Sequence, residues 1–172
     1  MKTFKATVFS FSALILVGVA SGCGSGYDPL VSIGDPTVTP ALNFPLATGG
    51  SFSQPQGYSA AHPSLEWTFT YSTTNNAVSA PAAGLVVAAD ATSITIMHST
   101  RYTSMLQGLT TVSVRVNDYL VNGGAVGNLG VTGSLKWSFY VDGVVTCPAS
   151  FLSASAKTTL NSYYSTLQFC QP

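Results

Sequence analysis

The side chains best able to do chemistry are few: His62 and His98 are the only histidines, and Cys23, Cys147 and Cys170 the only cysteines. Nucleophilic catalysis needs a base within hydrogen-bond reach of the nucleophile and a third group to orient that base. Two histidines and three dispersed cysteines give no such Ser-His-Asp or Cys-His constellation. No second Cys or His stands at ligand spacing from Cys147 or Cys170, which argues against a metal there. Phosphate chemistry is equally unsupported. The glycines between 123 and 133 precede no helical pattern, so they make neither a P-loop nor a dinucleotide fingerprint.

The N-terminus indicates the compartment. Lys2 and Lys5 precede an uncharged, largely apolar run from Ala6 to Ala20, shorter than the roughly 20 residues of a bilayer span. This is the pattern of a signal peptide. It ends in Ala20-Ser21-Gly22-Cys23, which resembles the lipobox of bacterial lipoproteins. Residues 1–22 are therefore expected to be removed and Cys23 to carry lipid, the only membrane anchor, facing the periplasm or cell exterior. Gly24 is compatible with sorting to an outer membrane. With Cys23 so assigned, Cys147 and Cys170 are an even pair in an exported chain and read as a disulfide. Such a bond, closing about two dozen residues, stabilises by roughly 3 kcal/mol through the unfolded state.

Charge narrows the partners. Only 7% of residues are charged, and loss of Lys2 and Lys5 leaves four basic residues against six acidic ones. A nucleic-acid partner needs a basic face, and anionic lipid attracts polybasic segments. Neither is present. The 150 residues after the leader suit one domain plus a tether.

The framework that positions these residues reads as mostly β. Residues 23–45 carry Pro29, Pro36, Pro40 and Pro45 without sustained periodicity and are expected to be a flexible, lipid-anchored tether. Residues 46–152 are expected to form a compact antiparallel, barrel-like domain. Within it, 84–89 and 92–97 are β-rich runs around an Asp90-Ala91 turn. Thr111 to Val116 alternates with period two, and Leu135 to Val141 leads into an Asp142-Gly143 turn. In 153–172, Leu160, Tyr163, Tyr164 and Leu167 fall at helical spacing behind serine caps, a short helix that the disulfide would pin to the sheet.

The segment Val114 to Gly133, VRVNDYLVNGGAVGNLGVTG, resembles the V-x-V-G-D-x-V-x-x-G-x-x-I-G-x-x-G-x-T-G segment of the LytM/lysostaphin-type zinc metallopeptidases. Asp118, Gly123, Val126, Gly127, Gly130 and Gly133 stand in register without a gap. Val78 to Val86 resembles that family's V-x-A-P-x-x-G-x-V, and Val141 to Leu152 its closing V-x-G-x-x-x-x-P-x-x-x-L. The resemblance implies a β-fold with an open groove and a zinc ion held by H-x-x-x-D and the second His of H-x-H. Two further histidines, one in Y-x-H-L and the first of H-x-H, would serve the attacking water. His62 and Glu66 match the first motif with Glu for Asp. Gly108 stands in place of the Y-x-H-L histidine, and Lys136 and Ser138 replace both histidines of H-x-H.

Catalytic zinc wants three protein ligands and an open position for water. His62 and Glu66 supply two, and the Lys136 ammonium opposes a cation. The resemblance therefore implies a degenerate, non-catalytic domain with no cofactor, His62 and Glu66 being a relic hydrogen-bonded pair on the groove wall. His98 reads as a turn or strand-end residue. Trp67, Trp137, Phe139 and Tyr140 read either as core or as an aromatic groove. Lys136, Trp137, Ser138 and Tyr102 are the groove candidates. The expected partner is peptidoglycan or a cell-wall hydrolase. The alternatives are a zinc peptidoglycan endopeptidase with unusual ligands and a structural subunit of an envelope assembly.

Overall fold

The computed structural model describes residues 34–46, 52–69, 77–130, 133–163 and 170. The expected signal peptide (residues 1–22), Cys23, and Tyr164 and Leu167 lie outside these residues. The strands, in chain order, are β1 (Phe52–Gln56), β2 (Leu65–Phe69), β3 (Ala77–Ser79), β4 (Gly84–Ala89), β5 (Ser93–Met97), β6 (Tyr102–Gln107), β7 (Thr111–Val112), β8 (Tyr119–Leu120), β9 (Ala125–Asn128), β10 (Gly133–Val141) and β11 (Val144–Thr146). A large antiparallel sheet runs β1-β2-β10-β6-β5-β4-β8, with β11 paired to β10. A small sheet runs β3-β9-β7.

Local chemistry accounts for the turns. Asp90 Oδ1 accepts the Thr92 and Ser93 N–H groups at 2.8 Å each, closing the β4–β5 hairpin as an Asx turn. Asp142 (φ 52°) and Gly143 (φ 79°) both lie in the left-handed region, as a two-residue turn with right-twisted flanking strands requires. The α-helix α1 (Ala154–Tyr163) starts at Ser153, whose hydroxyl accepts the Ala156 N–H at 3.1 Å.

Period-two alternation turns one face of the sheet inward. Ile94 and Ile96 of β5, Tyr102, Ser104 and Leu106 of β6, and Leu135, Trp137 and Phe139 of β10 are buried. Leu152, Ala156 and Leu160 carry α1 into the same apolar cluster. Fully burying each large apolar side chain is worth about 1.5–3 kcal/mol. Cys147 and Cys170 are disulfide-bonded with Cα atoms 5.9 Å apart. Cys170 also bridges to Tyr58, so the tail is tied to the segment before β2.

Two expectations about elements need correction. Residues 34–45, expected to belong to a flexible tether, are instead a strap laid along the domain. Gly34 bridges to Ser99, Leu42 to Leu152 and Leu46 to Val78, and Leu42, Phe44 and Leu46 enter the core. Burial of three large apolar groups holds this proline-rich segment down despite its lack of regular structure. The strand expected over 111–116 stops at Val112. The Asp118 carboxylate takes the Arg115 N–H at 2.7 Å, and Asn117 turns the chain at φ 76°.

Candidate functional site

The outer face of the large sheet carries three cross-strand rows of side chains. Glu66 of β2 faces Lys136 of β10, Lys136 faces Gln107 of β6, and Gln107 faces Ser93 of β5. At about 4.8 Å per strand, this row spans roughly 14 Å. Ser138, Met105 and Thr95 make the next row, and Tyr140, Thr103 and Met97 the third. Among the described residues of these three rows, Glu66 and Lys136 are the only ionisable charges. Lys136 is exposed, whereas Ser138 is buried within the face. Glu66 Oε1 accepts the Ser134 hydroxyl at 3.1 Å, and the Tyr140 hydroxyl reaches Met105 Sδ at 4.0 Å.

Gly108 closes one end of the top row. Its φ is 93°, and a Cβ built there would overlap the Ser134 carbonyl oxygen of β10. No side chain fits at this position without parting β6 from β10. Gly127 is glycine for a similar reason, since a Cβ would meet the Thr111 carbonyl.

The groove candidates separate. Lys136 and Ser138 lie on the outer face, as their spacing requires. Trp137 and Tyr102 do not: both face the core, where Trp137 is fully buried and Tyr102 stacks on Phe139 with ring centroids 6.2 Å apart. Phe139 is likewise core, while Tyr140 is half-buried on the outer face. Period-two alternation puts 136, 138 and 140 on one side and 135, 137 and 139 on the other. The side chain of Trp67 lies outside the described residues.

The expected relic pair is not formed. His62 sits exposed on a turn closed by backbone bonds, its N–H donating to the Ser59 carbonyl at 3.0 Å. The Glu66 carboxylate turns instead to Ser134. His98, by contrast, is buried in a chain of bonds that the sequence did not signal. The Trp137 Nε1–H donates to Ser104 Oγ at 3.2 Å, and His98 Nε2 lies 2.8 Å from the same oxygen. His98 Nδ1 lies 2.9 Å from the Ala83 carbonyl, which can only accept. The tautomer is therefore Nδ1–H, with Nε2 accepting from Ser104. Burial lowers the His98 pKa below its ordinary value, partly opposed by the Ala83 bond, so the ring is neutral. At the nearby turns, Arg101 makes a two-pronged, solvent-exposed ion pair with Asp142 at 2.7–2.9 Å.

No family model matches the sequence, and no curated protein sequence matches it either. Among solved structures, it is similar to a Pseudomonas aeruginosa protein assigned to peptidase family M23. The TM-score is 0.55 at 24% identity, over 72% of this chain and 54% of that one. The fold is that of the M23, or LytM-type, peptidases. Helicobacter pylori Csd3 is similar at TM-score 0.53 and 12% identity, over 76% of this chain and 43% of that one. A chain of the SpoIIQ–SpoIIIAH pore-forming complex is similar at 0.52 and 17%, over 70% of this chain and 98% of that one. This chain thus spans about half the length of the Pseudomonas protein.

The LytM-type fold implies a zinc ion, and the residues present do not fit one. Lys136 and Ser138 occupy the H-x-H positions, Gly108 cannot bear a side chain, and His62 and Glu66 point to different surroundings. Among the described residues, no three His, Cys, Asp or Glu side chains cluster as a metal-binding group. No described helix is long and apolar enough to cross a membrane.

Proposed function

We propose that this chain is a non-catalytic cell-envelope lipoprotein whose LytM-type domain binds peptidoglycan or regulates a cell-wall hydrolase. The observation that carries the reading is the row Glu66–Lys136–Gln107, in which an exposed lysine ammonium stands where the first histidine of H-x-H would serve the attacking water, beside Ser138 in place of the zinc-binding second histidine. A lysine there repels a divalent cation and attracts carboxylate, the chemistry of recognition rather than of hydrolysis. The lipobox-like stretch ending at Cys23 supports an envelope location, and lipid on Cys23 would be the membrane anchor. The reading as a subunit of an envelope assembly draws on the likeness to a chain of the SpoIIQ–SpoIIIAH complex.

The test is cosedimentation of the purified protein with insoluble peptidoglycan, beside a pull-down from envelope extract. Lys136→Glu is expected to abolish whichever interaction is found and to leave the fold unchanged. If both assays recover the variant as well as the wild type, this face is not the binding surface.

A further inference from the structure

At the opposite end of β5 from the Lys136 row, the strap arches over the sheet and encloses an open cavity of about 360 Å³. Its wall is largely apolar, with Val38, Pro40 and Ala41 from the strap and Ala82 and Ala83 from the loop before β4. That volume lies within the roughly 300–1,000 Å³ range of small-molecule sites, which combine apolar walls with a few placed polar groups. Five polar residues line this one: Asp35, His98, Ser99, Tyr102 and Asn122. His98 has both ring nitrogens engaged and is neutral, so it neither binds nor repels a charged ligand. The Tyr102 hydroxyl has no hydrogen-bond partner among the described residues, although Tyr102 is only 6% exposed. Buried hydroxyls usually have a partner, so this oxygen marks where one is wanted.

Asp35 completes the set. Its Oδ1 accepts both the Thr37 N–H at 2.8 Å and the Thr37 hydroxyl at 2.7 Å. Those bonds hold the carboxyl below its ordinary pKa, so it is ionised, and Oδ2 accepts nothing from the described residues. Among the described residues, no Lys or Arg lines the cavity. A largely apolar chamber whose one ionised group is a carboxylate, at its solvent-exposed rim, and whose other polar groups are neutral favours a cation with N–H donors.

We propose that this cavity binds a small organic ammonium compound, its apolar body against Val38, Ala41, Ala82 and Ala83 and its nitrogen at Asp35 Oδ2. The site is separate from the Lys136 face and stands whether or not that face binds the cell wall.

The experiment titrates the full chain with 2-phenylethylammonium and, in parallel, with 3-phenylpropionate, an anion of similar shape, following backbone amides by NMR. A ligand of this size is expected to reach a Kd of about 1 mM. The amine should shift Asp35, Val38, Ala83 and Asn122 saturably, and the anion should bind about tenfold or more weakly. Asp35→Asn should weaken the amine about fivefold, and Tyr102→Phe should weaken it to a smaller extent. Ala82→Leu fills the chamber and should abolish binding; Ala41→Leu does so from the exposed strap, should the buried substitution fail to fold. Absence of saturable shifts up to about 20 mM, equal binding of the anion, or unchanged affinity with the chamber filled would overturn the assignment.

Discussion

Replacing Gly108 with alanine adds one methyl group at the point where β6 ends beside β10, and the structure sets two costs for it. The first is conformational: at φ 93°, an L-residue loses about 1–2 kcal/mol relative to glycine. The second is collision, because the new Cβ would overlap the Ser134 carbonyl oxygen, a backbone atom held in the β2–β10 ladder. Relief requires the strands to part, which threatens the bonds from the Gly108 and Leu109 N–H groups to the Thr92 carbonyl, 3.0 Å each. At about 1 kcal/mol per bond, the total is roughly 3–4 kcal/mol. Gly123 is the internal control. It also has positive φ, at 75°, but a Cβ there meets nothing within 4 Å. Gly123→Ala should therefore cost only the conformational part. In urea, with a slope of about 2 kcal/mol/M, the midpoint should fall by about 2 M for Gly108→Ala and by less than 1 M for Gly123→Ala. Equal shifts would refute the collision. Gly108→His should be at least as damaging, so the Y-x-H-L histidine cannot be restored by one substitution.

Three further outcomes follow from other parts of the molecule. The His98 pKa is depressed in the folded state, so below the ordinary histidine pKa of about 6.5 the unfolded chain binds the extra proton and stability falls, while above it the stability does not change on this account. Urea midpoints should therefore drop from pH 7.5 to pH 5, and the drop should shrink in His98→Asn; an identical drop in that variant would contradict the assignment. Thiol titration of the denatured, unreduced chain should find neither Cys147 nor Cys170, and Cys170→Ser should lower stability by roughly 2–4 kcal/mol; two titratable thiols would refute the pairing. Cys23→Ser should move the protein out of the membrane fraction, and a variant that still pellets with membranes would dispose of the lipid anchor.

The strands expected at 84–89, 92–97 and 135–141 were legible because β-rich composition and an Asp or Asp-Gly turn agreed; the third begins two residues earlier, at Gly133. The strap was not. Four prolines and missing periodicity pointed to a tether, yet Leu42, Phe44 and Leu46 alternate, and that short signal marks the segment that packs. Alternation misled at Val112, Val114 and Val116, where one carboxylate, Asp118, ended the strand through a local bond. For the site, spacing put Lys136 and Ser138 on one face but left the inward or outward choice open for Trp137. The His98–Ser104–Trp137 chain joins residues 6 and 33 positions apart, and only tertiary packing brings them together. Gly108 could be seen as a lost histidine, but its collision with the Ser134 carbonyl depends on the strand pairing.

On the proposed reading, this LytM-type face does not hydrolyse peptidoglycan. The most direct measurement is release of soluble muropeptides from purified peptidoglycan by the zinc-supplemented protein, with and without chelator. No release above buffer is expected, with zinc lost on dialysis and His62→Ala indistinguishable from the wild type. Chelator-sensitive release that disappears in His62→Ala would contradict the account and establish a zinc endopeptidase with unusual ligands.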